Sequence, residues 1–474
     1  MGRPKTCRRR HVKCDEKAPG CDRCENAGYE CEGYTQDFRF VNEVSRTLQN
    51  VRRTLPATVT GPREESRPII PRDLNLSAFQ DDIYISFLLS KLAPNSIVPN
   101  TWMRTQANDS TSPTAKHSLL ALSSIYFGRI HHLEDILKQG SRWYCNALRC
   151  LSKDLQDSEK AWSLSVLSSA SMLQIYEFIA PSSESAWLTH AGGIGRLLEL
   201  RGPEMHQSHI ERHIFECNRA NVLWGYWMRG ERCFLERPEW KSVPWALEPA
   251  SKAALSYLED ILYNIPGMIR DARKLQDPEL QPTRKNLSHS KLSNNIFEHF
   301  SQLSEWRATW EQNNPNSRAE VPTQRHTDSS PPYPTMICFS TLLQANEILL
   351  YNATLLLSLK LGFKTIGHPF EDMITHFLPS RNTSRKSLTS LGIALNIRAV
   401  ATEMCKIIEY CLSLHHDIAP SFLFFLLSVA HLGFEPSSIQ AQWLDRIQKQ
   451  VAEWTGMITG SDNHVSGRSV FELD

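Results

Sequence analysis

Five cysteines stand within the first 31 residues, spaced Cys7-x6-Cys14-x6-Cys21-x2-Cys24-x6-Cys31, and the other seven of the chain's 12 are scattered. A segment so short cannot bury enough apolar surface to hold itself together, so a cross-link or an ion must fix it. The two-residue gap between Cys21 and Cys24 lets both sulfurs turn onto one ion, and thiolates select zinc or an iron-sulfur centre. The start lacks the apolar run of a signal peptide, which leads us to expect a reducing, intracellular compartment. There, clustered thiols act as metal ligands rather than as disulfides. Thiols merely packed in a small core would not produce such regular spacing.

Charge is nearly balanced, with 52 Lys and Arg against 51 Asp and Glu, so any attraction to a polyanion must be local. It is local: Met1 to Cys14 holds Arg3, Lys5, Arg8, Arg9, Arg10 and Lys13 and no acid. A basic tip on a neutral body is the pattern of a small polyanion-binding head on a larger carrier. A nuclear-import signal or a solvated basic face would have the same composition.

The head runs to about Tyr34. Beyond it Val41, Val44, Leu48, Val51 and Leu55 recur at three- and four-residue steps, which suits a short dimerising helix or an arm docked on the body. Pro56, Pro62, Pro68 and Pro71, mixed with charges, mark a linker to residue 74. From about Asn75 to the end the periodicity is helical. It shows at Trp162, Val166, Ala170, Leu173 and Tyr176, and again over Leu342 to Leu361, Ile393 to Leu414 and Ser438 to Trp454. Alternating strand patterns are scarce. Pro278 to Ser290 and Asn313 to Pro334 are expected to be mobile loops. Apolar stretches such as Phe422 to Leu427 stop short of a membrane span, so no membrane partner is expected. The fold class is mainly α: a small metal-held head and a large all-helical body over residues 75–474.

The stretch from Thr6 to Cys24 resembles the fungal binuclear zinc-cluster DNA-binding domain, in which six cysteines hold two zinc ions. The resemblance identifies Cys7, Cys14, Cys21, Cys24 and Cys31 as the second to sixth ligands, and Pro19 as the proline of the loop between the halves. The first ligand should stand three residues before Cys7, where this chain has Pro4. Two tetrahedral ions need eight contacts, which six cysteines supply only because two sulfurs bridge. The resemblance implies that the first and fourth ligands bridge; with Cys21 then the sole bridge, six contacts remain, and the expectation is either one zinc ion or a weakened pair whose vacancies water or another donor fills. Either the bridging cysteine is lost or the start site is placed wrongly. The resemblance further implies that Arg8 to Lys13 begins a helix entering the major groove. Arg10 and His11 would meet bases, commonly of CGG-type triplets, while Arg8, Arg9 and Lys13 meet phosphates. The chemistry agrees, because arginine bonds guanine O6 and N7 together and cations release condensed counterions.

Two body segments, His190 to Pro203 and Arg232 to Trp245, resemble the fungal-specific transcription factor domain. Gly193 and Gly195 are spaced like the start of a dinucleotide fingerprint, but Leu198 stands where its third glycine should be. A helix with a close packing point, ended by Gly202-Pro203, accounts for them better. No nucleophile elbow, phosphate loop or His-Glu-x-x-His pattern points to an enzyme. The adjacent pairs His131-His132 and His415-His416 face different ways on a helix and make no shared metal site. Trp162, Trp187, Trp224, Trp227, Trp240 and Trp245 read as packing anchors. The tail from Ser469 to Asp474 mixes acids and apolar residues as activation segments do. The expected function is a nuclear, zinc-dependent regulator of RNA polymerase II transcription, acting on double-stranded DNA as monomer, homodimer or heterodimer and on the transcription machinery. The alternatives are a regulatory protein whose degenerate cluster does not bind DNA, and an iron-sulfur or other redox protein using the five thiols.

Overall fold

The computed structural model describes residues 6–7, 15, 21–29, 79–91, 101–108, 112–183, 186–323, 332–367, 370, 390–414 and 420–455. The chain divides into two compact units, Met1–Leu74 and Asn75–Asp474. The first contains a one-turn helix, α1 (Asp22–Glu25), capped by Cys21. The dimerisation helix and linker expected between residues 35 and 74 lie outside the described residues.

The second unit begins with α2 (Gln80–Lys91), α3 (Thr101–Asn108), α4 (Pro113–Ile130) and α5 (Glu134–Gln156). There follow α6 (Leu164–Ile179), α7 (Ala186–Arg201), α8 (His209–Met228), α9 (Pro238–Ser242), α10 (Ala254–Leu262) and α11 (Ile265–Lys274). The long α12 (Pro282–Asn313) leads into a hairpin of β1 (Arg318–Pro322) and β2 (Thr335–Phe339), and then α13 (Leu342–Ile366), α14 (Ser390–Ser413), α15 (Pro420–His431) and α16 (Ile439–Thr455). Helices α4 to α8 pack in sequence on one another, and α13 packs against α10, α11, α12, α14 and α15.

Local chemistry places the helix starts. The hydroxyls of Ser112, Ser163 and Ser208 accept from Ala115, Val166 and Glu211 N–H, relieving donors that the first turn cannot pair. Thr341 and Gln344 form a reciprocal capping box at the start of α13. That helix is long and apolar enough to cross a membrane, but 83% of its apolar window is buried in the unit. A helix apolar all round is, in this setting, the core.

The mainly α class holds, and the expected helices around Leu173, Leu350, Ile407 and Leu444 are present. Trp162 is an exception, lying before α6 and 38% exposed. Two expectations are corrected. Residues 282–290 are not a loop but the first turns of α12, with Pro282 at the first helical position, where a missing N–H costs nothing. Within 313–334, Arg318–Pro322 is a strand antiparallel to β2, with Glu320 opposite Ile337, so the body is not entirely helical.

Candidate metal centre

Cys7 Sγ lies 3.4 Å from Cys21 Sγ and 3.5 Å from Cys24 Sγ, and all three sulfurs fall within 4.8 Å of one another. All three side chains are fully buried. Sulfurs on a tetrahedral zinc with Zn–S of about 2.3 Å stand about 3.8 Å apart. The three thiols therefore fit one face of such a tetrahedron, and soft donors with no carboxylate among them suit zinc.

The sequence builds this arrangement in one turn. Cys21 caps α1, and the N–H groups of Cys24 and Glu25 return to its carbonyl at 3.0 and 3.2 Å, which brings the sulfurs of the Cys-x2-Cys pair together. Gly28 then closes the turn with φ of +69°, its N–H bonding Glu25 O at 3.1 Å while Tyr29 N–H bonds Cys24 O at 2.9 Å. This is a Schellman stop, and a side chain at that φ would be strained. Gly28 carries no metal, and sequence reading passed over it. The signal was there, a glycine shortly past the second cysteine of the pair. Of the expected ligands, Cys14 and Cys31 lie outside the described residues, as do Pro4, Arg8, Arg9, Arg10, His11 and Lys13.

In the body, the segments singled out in the sequence turn out to pack. Gly195 lies where a Cβ would come within 3.2 Å of Tyr226 Cε2, so α7 crosses α8 closely, and Gly202 ends α7 with φ of +76°. Trp240 and Trp245 are each only 2% exposed. Trp245 donates its indole N–H to Glu216 Oε1 at 3.1 Å and stacks under the buried guanidinium of Arg219, 5.2 Å from the ring centre. Arg219 also pairs with Glu259 at 3.1 Å and with Asp260, which is shared with Lys252. Burial pushes the Glu259 carboxyl up to about 7, with Arg219 pulling the other way and Asp260 adding to the rise. None of this ionic cluster was legible, because a charge on an amphipathic helix reads as surface. Beside it, Asn221, Trp224, Glu259, Tyr263, Leu350 and Phe425 line a crevice of about 20 Å³, room for about one water. His131 contacts the rings of Phe87 and Phe127, an aromatic packing role; His415 and His416 lie outside the described residues, as does the tail.

Residues 5–39 match the fungal Zn(2)-Cys(6) binuclear cluster domain, whose metal is zinc; the match opens one residue after Pro4 and includes all three converging thiols. An uncharacterized protein of Emericella nidulans is 30% identical over 248 residues, 47% of this chain and 53% of that protein. The transcription regulator lscL of Purpureocillium lilacinum is 32% identical over 119 residues, 24% of this chain and 27% of that protein. The aspercryptin biosynthesis cluster-specific transcription regulator atnN of Emericella nidulans is 60% identical over 30 residues, 6% of this chain and 5% of that protein. The chain thus spans about half, or less, of the length of these curated relatives. No solved structure matches it.

Proposed function

We propose that this chain, which carries a fungal Zn(2)-Cys(6) binuclear cluster domain, is a nuclear DNA-binding regulator of transcription by RNA polymerase II. The observation that carries the reading is the convergence of Cys7, Cys21 and Cys24 inside the matched segment. Two relatives bear the name of transcription regulators, which supports it. In this reading Cys7, Cys14, Cys21, Cys24 and Cys31 hold zinc, which when bound supplies the folding energy of the head. Arg10 and His11 read CGG-type triplets, and Arg8, Arg9 and Lys13 neutralise phosphates. The body dimerises the protein or presents it to the transcription machinery, and no catalytic role is part of the proposal.

The full chain, loaded with zinc, tests this by DNA selection followed by titration of the selected and a scrambled duplex at matched salt. Arg10→Ala should weaken the selected site by about 1–3 kcal/mol and the scrambled site far less. Equal losses on both would remove the base-reading role. A second reading rests on Pro4, which stands where a bridging ligand belongs and just outside the match. In that reading the head binds no DNA and the body acts through other proteins, and selection would enrich no motif.

A further inference from the structure

Helix α5 buries Gly140, Tyr144, Ala147 and Leu151 against its neighbours. Its outer face carries Lys138, Arg142, Arg149 and Lys153, at steps of four, seven and four residues, all exposed. At 3.6 residues per turn these fall within about 60° of one another and run along about 22 Å of the axis. Compensation is slight. Lys138 stands 3.6 Å from Asp135, both exposed, and Arg149 donates to Asn146 Oδ1 at 3.0 Å. Arg142 and Lys153 have no carboxylate partner among the described residues. Glu134, exposed and four residues before Lys138 on the same side of the helix, adds an acid at that end only, and Asp154 lies on another side, where it accepts from Thr114.

A second feature runs parallel to the cations. Leu148 and Leu155, seven residues apart, are 37% and 42% exposed. They lie about 120° round the helix from the centre of the cationic row. Between the two rows stand the short exposed side chains of Ser141, Cys145 and Ser152 and, at the first residue of the helix, the exposed carboxylate of Glu134. A row of cations, a track of small residues and a leucine ledge make a seat with two chemically different walls. A phosphate backbone would use the cations and leave the leucines wet. An amphipathic helix bearing acids on one flank and apolar residues on the other meets both walls.

We propose that the outer face of α5 docks an acidic amphipathic helix of another protein. Exposed ion pairs contribute little each, so the apolar wall must supply part of the affinity, and the cations set orientation and rate. The interaction is independent of the zinc head. It goes beyond the DNA-binding reading and stands or falls separately from it.

The probe is a synthetic helical peptide carrying glutamates at the same four-, seven- and four-residue steps beside a leucine flank. Its control is a scrambled peptide of identical composition. Binding to the zinc-loaded full chain is followed by anisotropy and by protection of the Cys145 thiol, exposed at the centre of the track, from alkylation. The ordered peptide should bind at least about tenfold more tightly than the scrambled one and should protect Cys145. R142E/K153E should lose that preference, a peptide with lysines at the matching positions should restore it, and L148A/L155A should weaken it at unchanged charge. All these changes lie on the surface, and far-ultraviolet dichroism confirms that each variant is folded. Equal binding of the two peptides overturns the proposal. So does an R142E/K153E variant that binds peptide normally but loses affinity for duplex DNA, since DNA would then be the occupant.

Discussion

The head and the body solve the same problem by opposite means. In the head, the buried side chains that converge are three thiols, and nothing among its described residues resembles an apolar core. In the body, α13 alone buries Ile348, Leu349, Leu350, Leu356 and Leu359 together with polar Asn346 and Glu347. One region depends on an ion for its order, and the other on excluded water. The contrast has a functional consequence. On the reading proposed above, a metal chelator or an oxidant removes the DNA-reading head while the body stays folded.

The largest effect that would break the contrast is metal removal. Structural zinc contributes on the order of 10–16 kcal/mol to small zinc-held peptides. Chelation of the full chain, or Cys21→Ser, should abolish selected-site DNA binding by more than about a hundredfold and leave the body's unfolding midpoint unmoved. A body that melted earlier in step with zinc loss would show the two regions to be one cooperative unit.

The complementary change is Trp245→Ala. The side chain is 2% exposed, holds Glu216 and lies under Arg219, so the loss should destabilise the body by about 3–5 kcal/mol. Zinc content, measured on the folded fraction, should not change.

The same contrast explains what could be read from the sequence. Cysteine spacing is a local record of coordination chemistry, so Cys7, Cys21 and Cys24 were legible as a group that converges. Apolar periodicity is equally local, and α6, α13, α14 and α16 followed from it. The start of α12 did not, because Thr283, Arg284, Lys285 and Asn286 show no apolar stripe and Pro282 looks like a breaker, when its place is the first helical position. The Arg219, Glu259 and Asp260 cluster was illegible for a different reason. Only tertiary packing takes those charges out of water, and no spacing along α8 or α10 announces it.

That cluster makes the body pH-sensitive. Glu259 keeps its proton in the fold up to about 7, whereas the unfolded chain has already ionised above its ordinary 4.5. In that window unfolding releases a proton, so stability is full below the unfolded pKa and falls as pH rises through about 7. The buried His206 acts in the opposite sense at lower pH. Burial beside Arg201 lowers it to about 3, so acidification from 6.5 toward that value favours the unfolded state. Because the two windows overlap, the Glu259 contribution is read as the difference in unfolding free energy between the native protein and Glu259→Gln, which should fall by on the order of 1–3 kcal/mol as pH rises from 4.5 to about 7. A difference that does not change with pH would mean that Arg219 keeps the carboxylate ionised throughout.

The smallest effects compare the regions on equal terms, through two glycines with nearly the same backbone. Gly28 in the head has φ of +69° and Gly202 in the body +76°. A Cβ at Gly28 would meet nothing within 4 Å, so Gly28→Ala tests backbone strain alone; at Gly202 it would also approach Glu204 Oε2 at 3.1 Å, the movable end of a flexible side chain. Alanine at either should cost about 1–2 kcal/mol. The difference lies in where that cost is felt. In the body, Gly202→Ala should lower the unfolding midpoint by about 1–2 °C and leave zinc affinity alone. In the head, folding and metal binding are one equilibrium, so Gly28→Ala should leave the body's midpoint fixed and weaken zinc affinity by about tenfold in a competition titration. If Gly28→Ala leaves zinc affinity unchanged, the turn after Cys24 is ordered without the ion. The head would then owe its fold to its own chain, as the body does.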